Sequence, residues 1–287
     1  MRKQAVFKDS KEIKRLGIQN ALLKEYEMPG LKKLFEAGHH LNVLDIGCND
    51  GGKTVDRFSN ESVSQVIGVE YNHDLAIKAS KYHGDNKFFF IHANAEDEEF
   101  NVKLREAMKE RGIDAFDIIY MSCVLMHLND PTDLLNRLSY FLRDTGSFVI
   151  IEMNDEISHM NPDPDGLVSE FLSMLKEDKY AGVRSGGGTL KSLLEKCGHA
   201  DFDIWADGVG AGKTERGKKE RIFQTYFSFF PEDLLLLLEE EPDNEKYLSW
   251  KKWLDANFSE LKQKVMSDKT EIFMGTTIMS CKKGKKA

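Results

Sequence analysis

Apolar residues change their spacing along the chain, and the change marks its organisation. Over residues 10–37 they recur at helical intervals (Ile13, Leu16, Ile18, Leu22, Leu23, Tyr26), interrupted by Met28-Pro29-Gly30, which predicts two helices before the first strand. The rhythm then becomes that of strands and helices in turn. LNVLDIG (41–47), SQVIGVE (64–70), KFFFIHA (87–93), FDIIYMS (116–122) and GSFVIIEM (146–153) read as buried strands. Helical patterns fill the segments between them, at about 53–60, 73–82, 98–112 and 131–143. Near-continuous apolar strands alternating with helices predict a parallel sheet covered on both faces.

Beyond residue 155 the pattern loosens. NPDPDG is a turn cluster, 166–178 a helix, RSGGG a loop and TLKSLLEKCG a helix ending at Gly198. DFDIWADG (201–208) reads as a sixth strand, and TEIFMGTTIMSCKK (270–283) holds the last one. The roughly 60 residues between them are too many for a structureless loop. The aromatic run RIFQTYFSFF (221–230) and helices over 231–241 and 244–265 fill them. The expected architecture is α/β: a doubly wound, mostly parallel seven-stranded sheet with N-terminal helices and a helical insertion before the last strand. Its expected parts are a helical cap over 1–38, a core over 39–212 and 266–287, and a lid-like insertion over 213–265.

Composition narrows the function classes. A length of 287 residues with 41% apolar residues is enough for one large, embellished domain. A formal charge of -8 opposes a long polyanion as the main partner, because such binding needs a basic face. Cys48, Cys123, Cys197 and Cys281 lie far apart without C-x-x-C spacing, so neither a zinc site nor a disulfide framework is expected and a cytoplasmic setting is. The charged N-terminal segment has no apolar run of signal-peptide type, and no segment approaches the roughly 18 to 20 apolar residues of a membrane helix.

VLDIGCNDGGKT (43–54) admits two chemistries. Gly47 to Thr54 matches the phosphate-loop pattern G-x-x-x-x-G-K-[ST], the mark of a nucleotide triphosphatase. That fold also needs a second strand ending in an acidic residue that organises magnesium. Asp117 stands at the wrong end of its strand, Glu152 is a weak match, and GVGAGKT lacks its first glycine because Asp207 occupies that position. The other reading meets its further demands. In a doubly wound sheet, ligands bind beyond the carboxyl ends of the strands, and Glu70 ends the second strand where an acidic side chain can accept both hydroxyls of a ribose.

VLDIGCNDGG, VIGVEYN, HANAED, FDIIYMSCVLMHLNDP and LRDTGSFVIIE come in an order and spacing that resembles the class I S-adenosylmethionine-dependent methyltransferases, especially the branch acting on small molecules. The resemblance covers about 40–155 and implies a Rossmann-like methyltransferase fold with S-adenosylmethionine as cofactor. It further implies that Asp45, Gly47, Cys48, Asn49 and Gly51 form the turn against the methionine part of the donor. By the same resemblance Glu70 holds the ribose, Tyr71 packs on the adenine, Asn94 and Ala95 sit at the adenine edge, and Met121 and Ser122, with Cys123, line the floor. Two positions depart from the family pattern: Asn49 replaces the middle glycine, and Asn94 stands where Asp is common. Asn tolerates positive φ better than other non-glycine residues, and its amide oxygen can still accept from an amino group.

Methyl transfer from a sulfonium is an in-line displacement in which charge disappears, so alignment and exclusion of water do much of the work. No metal is required. His127, in the string MHL, is a candidate general base, and Glu152 at the end of the fifth strand competes for that role. Tyr26, Phe223 and Tyr226 are candidates to wall an acceptor, although the aromatic run could equally be the insertion's own core. KTERGKKER (213–221) reads as an exposed basic turn. The leading expectation is a methyltransferase acting on oxygen or nitrogen of a small molecule. An RNA or protein acceptor, a non-catalytic donor-binding module and, remotely, a phosphate-loop triphosphatase are the alternatives.

Overall fold

The computed structural model describes residues 10–284, so the expectations placed on the first nine residues and on the last three of the basic tail lie outside it. The elements run α1 (Ser10–Ala37), β1 (Leu41–Ile46), α2 (Gly52–Phe58), β2 (Val63–Glu70), α3 (His73–His83), β3 (Phe88–His92), α4 (Phe100–Arg111), β4 (Phe116–Ser122), α5 (Pro131–Ser139) and β5 (Leu142–Met153). They continue with β6 (His159–Asn161), α6 (Leu167–Lys176), α7 (Gly186–Lys196), β7 (Ala200–Ala211), α8 (Arg216–Tyr226), α9 (Phe230–Glu240), α10 (Glu245–Met266) and β8 (Glu271–Lys282). The strands form one mostly parallel, doubly wound sheet in the order β3-β2-β1-β4-β5-β8-β6, with β7 on β8. It has eight strands because β6, three residues pairing antiparallel to β8, is too short to leave an alternation in the sequence.

The chain divides into two compact units. One comprises Lys24–Glu152, Thr189–Ala206 and the described residues from Thr277 onward. Its core is formed by strand residues such as Leu44, Ile67, Ile119 and Phe148 with Leu104, Leu134 and Leu138 from the covering helices, all fully buried. Ile46 of β1 pairs with Val69 of β2 and with Met121 of β4, so three strands end at one level. Strand order reverses between β1 and β4, which makes that level the switch point where ligands of doubly wound sheets bind.

Helix α1 passes through Pro29 without ending, where two helices are predicted. A mid-helix proline removes a hydrogen bond and normally kinks or breaks the helix. Here Glu27, Leu31 and Phe35, four residues apart, are all buried and hold the helix on either side of it. Gly30 is the seat of a ring: a Cβ there would meet Trp205 at 2.0 Å.

The second unit comprises the described residues up to Leu23, Met153–Gly188 and Asp207–Thr276. Its centre is aromatic. Phe171 stacks on Phe227 at 5.0 Å and meets Phe230 edge-on at 5.4 Å, while Phe223 stacks on Phe227 at 5.3 Å. Two local readings are corrected in this region. The loop predicted over RSGGG already belongs to α7 from Gly186, behind a turn fixed by the buried Arg184–Asp155 ion pair. The basic run 213–221 is an exposed turn only at its start: residues 213–217 are exposed, but α8 begins at Arg216 and Lys219 is fully buried. The Lys219 ammonium donates to the carbonyls of Lys213, Ser267 and Thr270, which is how a buried lysine without a carboxylate is satisfied.

Candidate active site

The turn after β1 is built from left-handed backbone. Gly47, Asn49 and Gly51 have φ of 75°, 54° and 80°, so Asn49 adopts the conformation that its chemistry tolerates and the Asn-for-Gly departure leaves the turn intact. The Asn49 side chain helps by accepting from Asp50 N at 2.7 Å. The Gly47 and Cys48 N–H groups both donate to the Val69 carbonyl, which ties the turn to β2. Cys48 is buried, and burial pushes its thiol well above the ordinary range, so it packs as a neutral group.

Glu70 joins the turns after β1 and β2. Its Oε2 accepts from Asn49 N at 2.9 Å and its Oε1 from Asn72 N at 2.8 Å. Burial raises its pKa against these N–H bonds. A carboxylate has about four acceptor positions, so these bonds leave capacity for a further donor such as a ribose hydroxyl. Tyr71 is half-buried beside it. Asn94, beyond β3, bridges its own turn by accepting from Glu96 N and donating to Asp97 Oδ1. The adjacent Ala95 is buried, and its carbonyl accepts from Arg137. Met121 is fully buried at the end of β4, and the Ser122 hydroxyl accepts from Lys53 at 2.6 Å.

The two phosphate-loop letters have other occupations. The Thr54 hydroxyl donates to Asp45 Oδ2 at 2.6 Å, and burial pushes the Asp45 carboxyl up to about 7 despite that bond and the Lys53 charge. Lys53 reaches Ser122 and lies 3.2 Å from Glu27 Oε1, an ion-pair contact outside hydrogen-bonding geometry. Glu27 is fully buried, and its Oε2 accepts from Arg57 Nε and from the Tyr120 hydroxyl, each at 2.7 Å. Burial raises its pKa, but Lys53, Arg57 and these hydrogen bonds outweigh it and hold the carboxyl below its usual range. Sequence reasoning missed this network. Its one local signal was Arg57, spaced like a core residue on α2 beside Phe58.

Glu152 is buried at the end of β5, and its Oε1 accepts from Val124 N and Leu125 N. It therefore holds the turn that carries His127, whose ring is half-buried. Burial pushes Glu152 up to about 8 against its backbone hydrogen bonds. A carboxyl raised in this way contributes stability that is complete below pH 4.5 and is lost as pH rises through 8. Glu152→Gln keeps an acceptor for both N–H groups and removes the titration. The thermal midpoint of the variant should therefore vary less than that of the wild type between pH 5 and 8, by on the order of a few kcal/mol in stability. Parallel pH profiles would contradict that assignment.

Tyr26 is half-buried on α1. Phe223 and Tyr226 are buried on α8, Phe223 in the aromatic stack and Tyr226 with its hydroxyl 2.6 Å from Thr276 Oγ1. Among the described residues no helix is long and apolar enough to cross a membrane.

A glycine turn and a buried acidic strand end lie beside the switch point of a parallel sheet, with an asparagine-held turn beyond the third strand, on the edge where doubly wound sheets bind their ligands. Residues 37–198, more than half of the chain, match the methyltransferase domain family, and the chain belongs to it. Two curated relatives are the tRNA U34 carboxymethyltransferases of Hahella chejuensis and Saccharophagus degradans. Each is 27% identical, over 212 and 209 residues, covering 70% and 71% of this chain. The chain spans 57% and 58% of their lengths. The fold is also that of a chain in the complex between the Haloferax volcanii Trm112 methyltransferase activator and a methyltransferase. The TM-score is 0.53 at 12% identity, with 98% of this chain and all of that one covered.

Proposed function

We propose that the chain moves a methyl group from S-adenosylmethionine to an oxygen or nitrogen of a small molecule, with the donor seated on Gly47–Gly51, Glu70 and Ser122. Glu70 carries the reading, since a buried carboxyl with both oxygens anchored by backbone N–H groups is rigidly placed for a diol. The bound donor supplies a methyl group on a positively charged sulfonium. Tyr71 packs on the adenine, Asn94 and Ala95 border it, and Met121 closes the floor. His127 accepts the proton of a hydroxyl or ammonium acceptor, and Glu152 keeps its turn in place.

The charge distribution favours a small acceptor. The most basic internal run, 213–221, buries Lys219 and interleaves Glu215 and Glu220, so it offers no continuous phosphate-binding face. A tRNA acceptor is the second reading, favoured by the names of the two curated relatives. Incubation with methyl-labelled donor separates them. Label should enter a small-molecule metabolite fraction, and bulk tRNA should remain unlabelled and unbound at about 0.15 M salt, where phosphate contacts are already weakened. Label in tRNA would contradict the small-molecule reading.

A further inference from the structure

Two carboxyl groups of the second unit stand where both cannot be charged at once. Asp178 follows α6 and is 2% exposed, and Asp233, in the first turn of α9, is 5% exposed. Asp178 Oδ1 accepts from Tyr180 N at 2.8 Å, whereas its Oδ2 meets no permanent N–H or O–H donor among the described residues. What Asp178 has instead is a hydrogen bond to the Asp233 side chain. An ionised carboxylate has no proton to donate, so this bond exists only while one of the two groups is protonated.

The cations nearby are already engaged. Arg15 of α1 donates to both oxygens of Glu12, at 2.7 and 2.6 Å, and to Gln19 Oε1 and the Thr225 carbonyl. Arg184 donates to both oxygens of Asp155. Each guanidinium thus has its own carboxylate, and Glu12 brings further negative charge toward Asp233. Burial, the Asp178 charge and Glu12 push Asp233 up to about 9 despite Arg15, and burial also raises Asp178 despite Arg184.

The pair forms the buried end of a clamp. The same turn grips the far end of α9, where Lys179 Nζ donates to Glu240 Oε2 at 2.6 Å and to Glu241 Oε1 at 3.3 Å, and the Tyr180 hydroxyl donates to Glu240 Oε1 at 2.6 Å. The lysine contacts are half-exposed ion pairs, which contribute little. The hold of the turn on α9 therefore depends most on the two aspartates.

We propose that Asp178 and Asp233 share one proton and form a latch that holds the turn after α6 to the start of α9 and loosens as pH rises. The closed pair keeps a proton that the open, hydrated pair releases, so raising the pH favours opening. The latch is complete below pH 3.8, the ordinary value for Asp233, and its hold is lost as pH rises through about 9. Tyr180 also faces Asp233, but burial and its bond to Glu240 push it up to about 12, outside that range. Lys179 is raised by its bond to Glu240 and stays charged throughout.

Hydrogen exchange read by mass spectrometry tests the latch, with wild type compared with Asp233→Asn at each pH so that the base dependence of exchange itself cancels. The asparagine amide can donate to Asp178 at every pH. Between pH 6 and 9, exchange over 177–184 and 230–236 in wild type should rise relative to the variant by up to about tenfold per pH unit, then level off. Over β1 and β4 the ratio should stay constant, which separates opening of the latch from general unfolding. Asp178→Asn, with the donor on the other partner, should behave as Asp233→Asn does. A constant ratio over 177–184, or a rise matched in β1 and β4, would overturn the proposal. Carbon-13 carboxyl spectra of the wild type read the proton without a variant: an aspartate titrating near pH 9 supports the latch, and none titrating above about pH 8 overturns it.

Discussion

Glu27→Ala should lower the thermal midpoint by roughly 10 °C or more, through a loss of about 3–5 kcal/mol. The carboxylate it removes is fully buried and answers two cations, of which Arg57 is itself 1% exposed. Without it, the buried guanidinium keeps the half-exposed Asp56 but loses its buried acid partner, and breaking a buried pair costs more than the pair itself is worth. Glu27→Gln, which can still accept from Tyr120 and Arg57, should fall between wild type and alanine. Scanning calorimetry of the three proteins checks this, and a Glu27→Ala midpoint within about 2 °C of wild type would show that the network carries little stability.

Glu70→Ala should weaken S-adenosylhomocysteine by about 100-fold. Two effects add. The ribose loses its acceptor, and the N–H groups of Asn49 and Asn72 lose the carboxylate that fixes the two turns relative to each other. Glu70→Gln retains one carbonyl acceptor and should recover part of the affinity, which separates loss of the anchor from general loss of fold. Titration of each variant reads the effect directly. Affinity unchanged in Glu70→Ala would remove the residue on which the donor placement rests.

What could be read from the chain alone follows from how local each signal is. The strands β1 to β5 and the carboxyl-edge positions of Gly47, Glu70 and Ser122 were legible, because a buried parallel strand is a continuous apolar run with a polar end. The positive φ of Asn49 was legible for the same reason, since a turn's demand falls on the residue itself. The Glu27–Arg57 pair was not, because its partners are 30 residues apart and the core-like spacing of Arg57 names no partner. Lys219 misled in the same way: its neighbours in sequence are charged, but its partners are carbonyls at Ser267 and Thr270. At Pro29 a strong local rule lost to tertiary packing on both sides of the residue. Glu152 was found by position, yet its backbone partners at Val124 and Leu125 are a property of the folded edge.

We propose that the turn from Gly47 to Thr54 serves a methyl donor and not a nucleotide triphosphate. The measurement that tests it most directly is calorimetric titration of the wild-type protein with S-adenosylhomocysteine and, separately, with ATP and magnesium. Saturable binding of S-adenosylhomocysteine with no heat from ATP is the predicted result. Binding of ATP with magnesium and none of S-adenosylhomocysteine would contradict it and return Lys53 and Thr54 to a phosphate loop.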